Sequence, residues 1–116
     1  MTTEVVVYQQ LKHLGVPASL KGYRYLQEAI KYATENPSIN GQMTKQLYPT
    51  IASICNTTTS RVERAIRHAI EYVYLNTDSE VLAQYFGNTI NATSGKLTNT
   101  QFIAGIAEYI RMEVIV

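Results

Sequence analysis

The sequence predicts an all-α fold of about six helices, and three observations support this prediction. Apolar residues recur at helical spacing along most of the chain. Valine-rich runs typical of strands occur only near the two ends, at residues 4–7 and 113–116. Proline, glycine and asparagine separate the periodic segments. With 116 residues, of which 46% are apolar and 16% charged, the chain can bury a core as a single domain over residues 1–116.

The expected helices are short and end at recognisable turn residues. The first covers residues 4–14 and ends at Gly15 and Pro17. The second covers residues 19–35 and ends at Asn36-Pro37, because the residue before proline disfavours helical dihedrals. The remaining expected helices cover residues 42–55, 59–75, 78–86 and 98–111.

Composition limits the function and the location of the protein. Ten basic and nine acidic residues give a net charge of +1, so binding to DNA requires cations that are concentrated on one face. The sequence contains no apolar run long enough to span a membrane and no secretory signal. The lone Cys55 cannot form an internal disulfide. We therefore expect a cytoplasmic protein without a membrane contact.

Residues 48–75 fit the pattern of a helix-turn-helix motif without a wing. Its first helix needs a small residue, here Ala52, where the two helices cross, and its turn needs a residue that tolerates a left-handed backbone, here Asn56. The predicted inward positions of the two helices are Ile51, Ala52, Cys55, Val62 and Ala65.

The second helix of this motif has a cationic face opposite its apolar face. The polar side carries Ser60, Arg61, Glu63, Arg64, Arg67 and His68. The N-terminal half of such a helix enters the major groove, which predicts that Arg61, Glu63 and Arg64 read bases. Arg67 and His68 lie one turn further on, where phosphates are the expected contact. A solvated face with pairs such as Glu63–Arg67 is the alternative, but the matching inward residues favour DNA binding.

The segment Ser60–Glu71 closely resembles the recognition helix of the effector domains of the stage-zero sporulation protein A family, which are sporulation response regulators. The similarity covers roughly residues 10–112. It includes Gly15–Ala18, Lys21–Tyr23, Tyr25-Leu26, Glu28–Ile30, Leu47–Pro49, Phe86-Gly87, Thr98-Asn99 and Phe102–Ala104. The resemblance implies a six-helix domain that binds short TG-N-CGAA-type boxes in double-stranded DNA.

The resemblance also implies roles for individual residues and partners. Base contacts carry over to Arg61, Glu63 and Arg64, and backbone contacts to Ser60, Arg67 and His68. A surface for an RNA polymerase sigma factor carries over to residues 77–90, including Phe86. Tandem boxes imply that two copies bind DNA side by side or as a homodimer. The family normally has an N-terminal receiver domain, for which we expect no room in this chain. The sequence leaves open whether the chain is an excised domain or a stand-alone protein.

The sequence also contains features of two other classes of function. Cys55 and His68 could form a thiol nucleophile and its base, but Cys55 occupies an inward position of the motif. Since no metal motif, phosphate loop or paired carboxylates are present, we expect neither an enzyme nor a cofactor. A protein-interaction module that pairs with a full-length regulator or a sigma factor is the alternative. The low net charge favours it, whereas Arg61–Arg64 favours DNA binding.

Overall fold

A computed structural model describes residues 1–37, 43–87 and 97–114, and these ranges contain six α-helices and no strand. The helices are α1 (Thr3–His13), α2 (Tyr23–Glu35), α3 (Met43–Ile54), α4 (Thr59–Asn76), α5 (Ser79–Phe86) and α6 (Asn99–Tyr109). A π-helical segment, Ile110–Val114, directly follows α6. The prediction of an all-α fold is confirmed. None of these helices is both long and apolar enough to cross a membrane.

Side-chain caps define the starts of three helices. Thr2 Oγ1 accepts a hydrogen bond from Val5 N at the start of α1, at 3.2 Å. Thr58 does the same for Arg61 N at the start of α4, also at 3.2 Å. Thr98 forms a full capping box with Gln101 at the start of α6. These caps satisfy backbone N–H groups that have no partner inside a helix, and so determine where α1, α4 and α6 begin.

Helix α2 begins four residues later than the apolar pattern predicts. The expected start was residue 19, whereas the helix begins at Tyr23. A turn precedes it, in which Leu20 N donates to Pro17 O at 3.2 Å and Tyr23 N donates to Leu20 O at 3.0 Å. Gly22 lies against α4, so closely that a Cβ at this position would collide with the carbonyl group of Ala65. Because Gly22 packs against α4, a turn precedes α2. The spacing of apolar residues does not predict this contact.

One hydrophobic core contains residues from all six helices. Helix α2 is central, because it packs against α1, α3, α4 and α6. Helix α4 buries the apolar face that its sequence predicts: Val62, Ile66, Ala69, Ile70 and Val73. Burial of each large aliphatic side chain contributes about 1.5–3 kcal/mol relative to exposure. The inward side of α4 is therefore determined, and its polar side must face outward.

Ala52 is only 6% exposed on α3, which packs against α4, and its small side chain is expected where the two helices cross. We predict that Ala52→Leu overpacks this crossing and lowers the free energy of unfolding by about 1–3 kcal/mol. Thermal melts followed by circular dichroism measure the effect. Ser53→Leu, at the exposed neighbouring position, is the matched control and should melt close to wild type. Equal melting temperatures for wild type and Ala52→Leu would contradict the assigned helix crossing.

Candidate nucleic-acid interface

The turn between α3 and α4 ends the first helix with a residue in the left-handed conformation. Asn56 has φ 54° and is the only non-glycine residue with positive φ in the described ranges. Thr57 N donates to Ala52 O at 2.9 Å, and Asn56 N donates to Ser53 O at 3.3 Å. These two bonds form a Schellman motif, in which the left-handed position is normally glycine. The turn directs the chain from α3 into α4 within four residues.

The predicted inward residues of the motif differ in how deeply they are buried. Ile51 and Val62 are fully buried and Ala52 is nearly so, as the pattern predicts. Cys55 and Ala65 are only half-buried, and Cys55 packs against the edge of the core. Ala65 faces the turn before α2, where the carbonyl group of Ala65 approaches Gly22. The end of α3 and the middle of α4 therefore lie at the edge of the core.

The environment of Cys55 does not favour a nucleophile. Burial raises the pKa of its thiol above the ordinary value, against an opposing effect of the Arg24 guanidinium. A raised pKa lowers the fraction of thiolate, which is the reactive form of cysteine. Cys55 therefore has a packing role at the end of α3, next to α2.

The polar side of α4 lies outward between two grooves. Ser60, Arg61, Glu63, Arg64 and His68 are exposed, whereas Arg67 is half-buried. The groove between α4 and the start of α2, here called the α2–α4 groove, has a volume of about 780 Å³, and its polar lining residues are Lys21, Tyr25, Thr57, Arg61, Arg64 and His68. The groove on the other side, here called the α4–α6 groove, has a volume of about 450 Å³ and is lined by Tyr48, Ser60, Glu63, Arg64, Arg67, Thr98, Asn99 and Thr100.

The two grooves divide the residues that the sequence assigns to the interface. Arg61 and His68 line the α2–α4 groove only. Ser60, Glu63 and Arg67 line the α4–α6 groove only. Arg64 lines both and therefore lies on the ridge between them. All six side chains belong to one continuous surface, and Arg64 is at its centre.

Helix α6 holds α4 through side chains that sequence reasoning did not identify. Asn99, which is 5% exposed, donates from Nδ2 to Glu63 O at 3.1 Å. Arg67 Nη1 donates to Leu97 O at 3.5 Å, and Leu97 N donates to Tyr74 Oη at 2.7 Å. No local sequence pattern reveals the bond from Asn99 to a residue 36 positions earlier. These contacts hold the half of α4 that carries Glu63 and Arg64.

Phe86, which the resemblance assigns to a partner contact, is largely buried and also lines a groove between α5 and α6. The side chain is 7% exposed, and its ring centroid lies 5.3 Å from that of Phe102. Gly105 provides the space, because a Cβ at this position would meet the Phe86 ring at 2.7 Å. In helix α5 the exposed residues are Ser79, Glu80, Ala83 and Gln84. Residues 88–90 of the predicted sigma-factor surface lie outside the described ranges.

Comparison with known protein families gives one match of nearly full length. Residues 7–110 match the family described as sporulation initiation factor Spo0A C terminal. The match begins inside α1, ends one residue beyond α6, and includes both helices of the helix-turn-helix motif. All the residues that line the α2–α4 and α4–α6 grooves lie within the matched range.

The left-handed conformation at Asn56 predicts an order of stability among its variants. A non-glycine residue costs about 1–2 kcal/mol in this conformation, and asparagine tolerates it better than alanine. Asn56→Ala should therefore melt several degrees below wild type, whereas Asn56→Gly should melt close to it. Differential scanning calorimetry measures the three melting temperatures. Equal stability of the alanine and glycine variants would show that position 56 is not held in this conformation in solution.

Proposed function

Because the chain belongs to the sporulation initiation factor Spo0A C-terminal family, a family of DNA-binding regulator domains, we propose that it reads short TG-N-CGAA-type boxes in double-stranded DNA and acts on transcription in the cytoplasm. The observation that carries this proposal is the outward face of α4, on which Arg61, Arg64 and Arg67 occur within seven residues. A net charge of +1 is compatible with DNA binding, because these three cations are concentrated on one helix.

Base reading is assigned to the N-terminal half of α4. Arg64 is exposed on the ridge between the grooves and suits the two acceptors of guanine, N7 and O6. Glu63 suits the amino group of cytosine, and Arg61 a second guanine. The bond from Asn99 to the backbone of Glu63 supports this assignment, because a fixed helix loses less entropy when it binds DNA.

Contacts to the DNA backbone are assigned to Ser60, Arg67 and His68. The hydroxyl group of Ser60 is exposed at the start of α4 and suits a phosphate oxygen. One N–H of the Arg67 guanidinium is directed to Leu97 O, and the other N–H groups of this five-donor side chain suit a phosphate. Boxes in tandem would allow two copies to bind side by side.

A second candidate function is binding of a partner protein, and a groove between α5 and α6 favours it. This α5–α6 groove has a volume of about 610 Å³, and its lining includes Gln84, Gly105, Glu108, Met112 and Glu113. Met112 is 68% exposed, and the described residues that line the groove include two carboxylates but no cation. An apolar segment with basic residues, such as a sigma factor could present, fits this chemistry. None of the lining residues belongs to α4.

Removal of the Arg64 side chain should weaken sequence discrimination. We predict that Arg64→Ala costs about 1–3 kcal/mol on a box-containing duplex, because a bidentate contact to guanine is lost. On a scrambled duplex the loss should be smaller. Fluorescence anisotropy with both duplexes at one salt concentration measures the ratio of the two affinities. An unchanged ratio would remove Arg64 from the base-reading set and would favour the interaction module.

Removal of the Arg67 side chain should affect both duplexes alike. Arg67→Ala is expected to weaken binding to box-containing and scrambled DNA by the same factor, because phosphates carry no sequence information. The slope of log affinity against log salt should become less negative by about 0.9. A melting curve of the variant controls for loss of the bond to Leu97 O. A selective loss on the box-containing duplex would instead assign Arg67 to base reading.

A further inference from the structure

The α2–α4 groove contains a cation that does not belong to the helix-turn-helix motif. Lys21 is exposed in the turn before α2 and lines the groove opposite the outward face of α4. Arg61, Arg64 and His68 line the same groove from α4. No aspartate or glutamate is found among the lining residues that the structure describes. The groove therefore combines positive charge from α4 with that of the turn before α2.

Gly22 determines how close Lys21 lies to α4. A Cβ at position 22 would collide with the carbonyl group of Ala65 and would lie 3.2 Å from the Cβ of Ala69. The backbone next to Lys21 is thus packed directly on α4, without an intervening side chain. The bonds of Leu20 N to Pro17 O and of Tyr23 N to Leu20 O hold both sides of this turn. Lys21 consequently lies on a rigid support beside the recognition helix.

The charges of the other two grooves differ from those of the α2–α4 groove. Glu63 lines the α4–α6 groove together with Arg64 and Arg67. Glu108 and Glu113 line the α5–α6 groove, and no cation is among its lining residues in the part of the chain that the structure describes. Among the described lining residues of the three grooves, only those of the α2–α4 groove include cations without a carboxylate. Its charge is complementary to a polyanion.

The length of the groove matches a short stretch of a DNA strand. Arg61 and His68 are seven residues apart, which corresponds to about 10 Å along α4. One DNA strand carries a phosphate about every 3.4 Å of the duplex axis, so this distance spans about three phosphates. When a helix lies in the major groove, the backbone strands run along its two sides. The hydroxyl groups of Tyr25 and Thr57, which also line the groove, are suitable donors to phosphate oxygens.

We propose that the α2–α4 groove binds the sugar–phosphate backbone of one DNA strand and that Lys21 contacts a phosphate there. This inference rests on the proposed function, because it assumes that α4 enters the major groove. It adds a contact from outside the helix-turn-helix motif. It also implies that His68 and Lys21, which lie on opposite walls of the groove, contact the same DNA strand.

The test compares Lys21→Ala with Lys12→Ala, which removes the same charge elsewhere. Lys12 is exposed on α1, next to His13, whose Nε2 lies 3.1 Å from Gln84 Oε1 of α5, and it does not line the groove. Affinities for box-containing and scrambled duplexes are measured by fluorescence anisotropy over a series of salt concentrations. Lys21→Arg, which retains the charge, is measured in parallel.

Loss of one phosphate contact makes the slope of log affinity against log salt less negative by about 0.9 and weakens binding about fivefold at 0.15 M salt. We expect this result for Lys21→Ala on both duplexes, with their affinity ratio unchanged. Lys12→Ala and Lys21→Arg should retain the wild-type slope. An unchanged slope for Lys21→Ala, or an equal loss for Lys12→Ala, would overturn the inference.

The same measurements separate this inference from the proposed function. Wild-type preference for the box-containing duplex, combined with a wild-type slope for Lys21→Ala, would overturn the groove contact and leave the proposed function intact. No preference between the duplexes, combined with a slope that depends on Lys21, would overturn box recognition and support the groove contact. Thermal melts of each variant verify that it is folded, so that a loss of affinity is assigned to the contact.

Discussion

The burial of one face of α4 is the constraint on which the rest of the structure depends. Val62, Ile66, Ile70 and Val73 are fully buried, and together they stabilise the fold by several kcal/mol. Because α4 is one continuous helix of 18 residues, the rotation that buries these side chains also determines which residues face outward. Arg64 lies on the opposite side for this reason. The stability of the core and the orientation of the candidate interface thus have one physical cause.

Two neighbouring helices hold α4 along its exposed edges. On one side Gly22 allows the turn before α2 to pack directly against the backbone of α4. On the other side Asn99 and Leu97 connect the start of α6 to α4 by hydrogen bonds. These contacts create the two grooves beside Arg64. The grooves differ in charge, since the described lining of the α2–α4 groove has cations but no carboxylate, whereas Glu63 lines the α4–α6 groove together with Arg64 and Arg67.

Local chemistry made part of the site predictable from sequence. The left-handed position in the turn was assigned to Asn56 because few other residues tolerate it, and its φ is 54°. The packing of other positions depends on residues that are distant in the sequence. The backbone carbonyl group of Ala65 lies against Gly22 in the turn before α2, and the ring of Phe86 packs against that of Phe102. In both cases the deciding neighbour lies at least 16 residues away, outside the reach of a helical pattern.

The helices, the polarity of their faces and the residues that can turn the chain depend on side chains within a few positions of each other, so they follow from the sequence. The cationic face of α4 and the motif around Asn56 are among these features. Which helices border that face depends instead on the tertiary fold. The positions of Lys21 and Asn99 beside α4 depend on long-range packing, in which the backbone at Gly22 contacts Ala65 and Asn99 bonds to Glu63. Such contacts join segments that are far apart in the sequence. They form only when the folded helices pack together, so no local sequence pattern predicts them.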